Sequence, residues 1–107
     1  MRLRPPQGNV RKAPVTALDY EIAQEQASAL GRLGRSLEAA LAALTEHDAI
    51  GASGNGARRQ LVQAASEALW YFIVQREACG LRDPRPVLRD YRVPAEVYAR
   101  MGARRAG

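Results

Sequence analysis

The residues with the widest chemical repertoire in this chain are its one cysteine, Cys79, and its one histidine, His47. A thiol beside an imidazole could make a nucleophile and its base. The same two side chains could begin a zinc site, but tetrahedral zinc takes four ligands, and one histidine with one cysteine leaves that set short. Glu21 and Glu25 stand at i and i+4, so on a helix they would share a face and could act as a hydrolytic pair. With Asp19 they also sit near a helix start, where the positive end of the dipole attracts acids and explains them without catalysis. The stretch "GASGNG", residues 51–56, is glycine-rich but lacks the lysine of a phosphate loop and follows no strand. What remains is "QREACGLRDPRPVLRDYRVP", residues 75–94, where Arg76, Arg82 and Arg85 with Tyr91 could border a groove for an anion or an acidic peptide.

The elements that must position these residues decide among the options. Thr16 is placed as an N-cap with Asp19 three residues on, an acidic variant of the capping box. From there Leu30, Leu37 and Leu44 repeat every seven, and Leu18, Ile22, Leu33, Ala40 and Leu41 fill the steps between them. The spacing predicts a helix from Ala17 to about Ala49, ended by the glycines of "GASGNG". A second helix is expected from near Ala57 to Cys79, with Gly80 at a left-handed cap and Leu81 in the apolar position of a Schellman ending. Two long helices joined by a short loop form an antiparallel hairpin. Its geometry sets His47 and Cys79 roughly 28 Å apart, which removes the Cys/His dyad. Cys79 is then a buried structural thiol in the negative last turn of a helix, and His47, between Glu46 and Asp48, is a solvated or C-capping histidine.

The run "ALWYFIV" has the composition of a buried strand but continues the helical phase of its flanks. Leu69, Phe72 and Ile73 are expected to face the first helix. Trp70, Tyr71 and Val74 then need another cover, because one neighbouring helix covers only one face. A C-terminal strap is one candidate. Asp83 would cap a short helix of about eight residues with Pro84 at its first position, and Pro94 would open another that carries Val97 and Met101 and stops at Gly102. Val87, Leu88, Tyr91, Val93 and Val97 are the expected apolar contacts. A second copy is the other candidate. Gly31 and Gly34 lie inside the first helix at a cost of up to about 1 kcal/mol each unless something approaches closely, and Ala23, Ala27 and Gly31 make a small-residue ridge suited to close helix packing.

The sequence therefore predicts an all-α fold, a long antiparallel helical hairpin with two short C-terminal helices packed on it, dimerising into a four-helix core. A chain of 107 residues with 47% apolar and 25% charged content is sized for one domain. The expected division is a flexible basic arm over 1–15, one helical domain over 16–102, and a basic tail over 103–107. Residues 1–15 carry Arg2, Arg4, Arg11 and Lys12 with no acid, a charge of +4, and residues 100–107 carry three arginines, a charge of +3. Nine arginines against eleven acids leave the middle at −2. The basicity of the chain thus belongs to its ends, and nucleic-acid binding by those arms is the alternative reading, one that predicts affinity falling steeply with salt. The longest apolar run has seven residues, Ala68 to Val74, far below the roughly 18 that cross a bilayer. With no apolar leader and a single cysteine, the cytoplasm is the expected compartment. No catalytic, cofactor or metal residues are expected, and the candidate interaction surface comprises Trp70, Arg76, Arg82, Arg85 and Tyr91.

The segments "ALDYEIAQEQASALGRLGRSLEAALAAL", "VQREACGLRD" and "YRVPAEVYARMG" resemble a family of short bacterial proteins of about this length that is classed only as a domain of unknown function. The resemblance runs from Ala17 to Gly102. It implies a small helical cytoplasmic protein and carries over no catalytic or binding residue. The leading expectation is a non-enzymatic interaction protein, a helical homodimer that docks on another protein through its arginine-bordered strap or exposed helix faces.

Overall fold

The computed structural model describes residues 16–51 and 55–106. Among them are four helices, α1 (Ala17–Ala49), α2 (Asn55–Ala78), α3 (Arg85–Asp90) and α4 (Ala95–Ala106), and no strand. The expected basic arm lies outside the described residues.

The start of α1 is fixed locally. Asp19 donates its backbone N–H to Thr16 Oγ1 at 3.0 Å, and Thr16 donates its own to Asp19 Oδ2 at 3.3 Å, the reciprocal pair of a capping box. From there α1 runs 33 residues, about 50 Å at 1.5 Å per residue. α2 packs against it in the opposite sense. Arg58 meets Asp48, and Phe72, fourteen residues further along α2, lies beside Gly34, fourteen residues back along α1. Leu37, Leu41 and Leu44 of α1 interleave with Ala65, Leu69, Phe72 and Ile73 of α2. "ALWYFIV" is thus helix, and its Leu69, Phe72 and Ile73 face the core as the phase requires.

α2 ends in the predicted Schellman motif. Leu81 N–H reaches back to the Arg76 carbonyl at 2.8 Å and Gly80 N–H to that of Glu77 at 3.0 Å, with Gly80 at φ 91°. α3 ends the same way without a glycine. Val93 N–H bonds to Leu88 O and Arg92 N–H to Arg89 O, and Arg92 takes the left-handed position at φ 53°. The turn aims α4 along α2, where Val97 and Met101 enter the core. Arg58 bonds Glu96 and Arg100 bonds Gln63, so α4 runs parallel to α2.

Several boundaries differ from those the sequence predicts. α2 opens at Asn55 rather than Ala57, so the end of "GASGNG" is helical. It closes at Ala78, leaving Cys79 in the turn, half-buried rather than buried, with Gln75 Nε2 at 3.8 Å from its sulfur. Both short helices begin one residue after their proline, because Pro84 and Pro94 supply carbonyls that accept the first helical bonds. α3 is six residues long, and Asp83 caps from one position further out, its Oδ1 accepting the Arg85 N–H at 3.0 Å. Gly102 does not stop α4. The helix formers after it outweigh one glycine, a cost of about 1 kcal/mol, so the expected boundary between domain and tail falls inside a helix.

Candidate functional site

Part of the strap's charge is paired within it. Asp83 receives Arg85 Nε at 3.0 Å and Arg85 Nη2 at 2.9 Å as well as the Arg85 backbone N–H. Those bonds, the guanidinium first, lower the Asp83 pKa to about 2. Arg76 Nη2 donates to the Asp83 carbonyl at 3.1 Å, tying the strap to the end of α2. Arg82 is exposed and makes no ion pair among the described residues.

The five predicted surface residues are not gathered into one groove. Tyr91 packs edge-on against Phe72, ring centroids 5.5 Å apart. Trp70, two residues before Phe72, is therefore about 160° away around the α2 axis. Trp70 is half-buried and forms a tilted pair with Tyr71 at 5.4 Å. Arg76, Arg82 and Arg85 do cluster in sequence around Asp83, whose carboxylate engages Arg85 and whose backbone carbonyl accepts from Arg76. Tyr91 instead borders an open groove of about 440 Å³ with Glu38, Leu41 and Asp90. Asp90 there is held by Arg89 Nε at 3.0 Å.

A charged cluster absent from the predicted surface joins three helices. Arg58 Nε lies 2.9 Å from Asp48 Oδ1, and its two terminal nitrogens lie 2.9 and 2.6 Å from the Glu96 oxygens. The guanidinium holds both carboxyls below their usual range and is itself raised by them. Pairing across 38 residues leaves no local pattern to read. The available signal was the placement of Arg58 and Arg59 in the first turns of α2, where the dipole opposes cations and no acid offsets them. His47 sits beside this cluster, its buried Nδ1 3.7 Å from Asp48 Oδ1 and without a hydrogen bond.

None of these groups forms a nucleophile with its base. His47 adjoins the α2 start and Cys79 follows the α2 end, so the hairpin keeps them apart by most of the helix length. No group of three or more His, Cys, Asp or Glu among the described residues could hold a metal ion, and no helix there is long and apolar enough to cross a membrane.

The uncovered apolar surface has more to offer than the polar groups. Tyr71 is 50% exposed and Val74 40%, so the strap does not wrap them as the sequence suggested. It goes to the Phe72 side of α2 instead, and α4 lies along Arg58, Gln63 and the positions between. Tyr71, Val74 and Ala78 fall within about 60° of one another on α2, and Leu81, in the turn beyond it, is also exposed. A second bare surface is the first third of α1, where Leu18 is 63% and Ile22 49% exposed. Ala23 and Ala27 of the small-residue ridge are on this same stretch, both exposed.

The chain matches a family model over residues 7–107 and belongs to that family, described as a family of unknown function (DUF6665). No curated protein and no solved structure matches it.

Proposed function

We propose that this protein is a non-enzymatic helical interaction module that acts as a homodimer. One observation carries the reading: after the chain has folded, large apolar side chains on two of its helices remain in water, Leu18 and Ile22 on α1 and Tyr71 and Val74 on α2. Scattered single apolar residues are ordinary on a surface, whereas aligned ones rimmed by charge mark an interface. A domain of this size buries a modest share of its surface alone, and joining a second copy adds to it. The polar groups support the same view, since the Asp48–Arg58–Glu96 cluster uses its charges to hold three helices together and Asp83 pairs with Arg85 inside the strap.

Sedimentation equilibrium of the full chain between about 1 and 100 µM tests the proposal. A mass of twice 11.7 kDa is the expected result. A single-chain mass across that range would remove it.

A further inference from the structure

The pairs Asp48 with Arg58 and Gly34 with Phe72 each sum to 106 in residue number. On that register Ala78, the end of α2, is level with Ser28. Residues 17–27 of α1 therefore reach past α2 by about 16 Å. Every residue from 17 to 28 is exposed. On this free end Leu18, Ile22 and Glu25 lie within about 60° of one another, with Glu21 along one edge. Residues 17–28 carry Asp19, Glu21 and Glu25 and no base, a charge of −3.

The bare stripe of α2, from Tyr71 to Ala78, is about 10 Å long, short enough for the free end of α1 to cover it. It runs up to the strap, and residues 75–92 hold five arginines against three acids, a charge of +2. One surface is apolar and acidic, the other apolar and basic. They cannot meet within one chain, because the free end continues α1 in a straight line beyond the end of α2.

We infer that the free end of α1 in one copy lies along the Tyr71–Ala78 stripe of a second copy, reciprocally, about a two-fold axis at the level of Ser28 and Ala78. This names the interface of the homodimer proposed above and rests on that reading. A two-fold operation matches two unlike surfaces at once when both lie on every chain. Here it reverses α1, so its free end descends beside the other copy's α2 in the same chain direction. Counting from the axis, residue k of α1 is level with residue k + 50 of the other α2. Ile22 then stands between Tyr71 and Val74, and the acidic free end lies toward the basic strap.

Cross-linking tests this register. In a Cys79→Ser background, the full chain carrying both Ile22→Cys and Tyr71→Cys is expected to form a disulfide-linked dimer under mild oxidation. Within one chain positions 22 and 71 are about 20 Å apart along the hairpin, and two copies of position 22 are about 18 Å apart across the axis. Each single-cysteine variant is therefore expected to stay unlinked. Leu18→Glu with Ile22→Glu alters only exposed positions. It is expected to keep the far-UV helical signal and to raise the dimer dissociation constant at least about tenfold. A wild-type chain that sediments as a monomer would overturn both the dimer and this interface. A wild-type dimer that ignores the glutamates, or whose 22/71 variant fails to cross-link, would overturn the interface and leave the dimer standing.

Discussion

The Tyr91 hydroxyl stands over Gly34: a β-carbon on that glycine would lie 2.8 Å from the phenolic oxygen and 3.5 Å from Phe72 Cε1. A glycine in mid-helix is thereby explained within one chain, by an aromatic ring delivered from the end of α3. Gly34→Ala is expected to destabilise the fold by about 1–3 kcal/mol through overpacking. In a Tyr91→Phe background, which removes the oxygen, the same substitution is expected to be close to neutral, since alanine gains up to about 1 kcal/mol of helix propensity. Urea unfolding of the four proteins in this cycle measures the difference. Gly31→Ala is the contrast. Its β-carbon would meet only the movable Arg35 guanidinium, 3.3 Å away, and a gain of about 0.5–1 kcal/mol is expected.

Acid is expected to loosen the junction of α1, α2 and α4. Asp48 and Glu96 titrate below their ordinary 3.8 and 4.5 because Arg58 bonds both, and Asp83 titrates at about 2 beside Arg85. Carboxyls depressed by folding add stability that is fully present above their unfolded values and is lost as pH falls through the folded ones. The urea midpoint should thus decline between about pH 5 and pH 2. Arg58→Gln should lower the midpoint at neutral pH and flatten this slope, and added salt should shrink the difference between the two proteins. Equal slopes would remove Arg58 as the clamp.

Arg92 holds a left-handed backbone that side chains disfavour by about 1–2 kcal/mol. Arg92→Gly relieves this at some cost in unfolded-chain entropy. A net gain of roughly 0.5–1 kcal/mol in urea unfolding is expected, with the Val93 to Leu88 turn kept.

The two faces of α2 should respond differently. Leu69 is fully buried, and Leu69→Ala is expected to cost about 2–5 kcal/mol. Tyr71→Ser should change the stability of the single chain by no more than about 0.5 kcal/mol.

The parts of this fold that the sequence displays are those set by neighbours in the chain. The Thr16–Asp19 box, the Gly80 turn and the leucine repeat each involve residues within seven positions, so spacing alone reveals them, and α1 begins and ends where the pattern says. Boundaries at Asn55, Pro84, Pro94 and Gly102 moved by a few residues because those residues punctuate weakly: a proline carbonyl accepts the first helical bonds, and one glycine costs less than the helix formers around it supply. What stayed hidden was tertiary. Tyr91 over Gly34 and Arg58 to Glu96 join residues 38 or more positions apart, and Arg58 to Asp48 reaches across the hairpin loop. The predicted surface of Trp70, Arg76, Arg82, Arg85 and Tyr91 treated residues near in sequence as near in space, and the helical turn between Trp70 and Phe72 separates them. Phase did identify Tyr71 and Val74 as needing cover, but not the direction in which the strap would turn.

The unequal lengths of the two hairpin arms give α1 two kinetic regimes along a single rod. Amide protons near Leu37, Leu41 and Leu44 are released to solvent deuterium only when the whole bundle opens, whereas those near Ile22 need only unwinding from the tip. Deuterium uptake along this one helix therefore records two separate quantities. The inner amides follow the strength of the fold, and the outer ones report whatever seizes the projecting tip, which makes that tip a built-in gauge of occupancy.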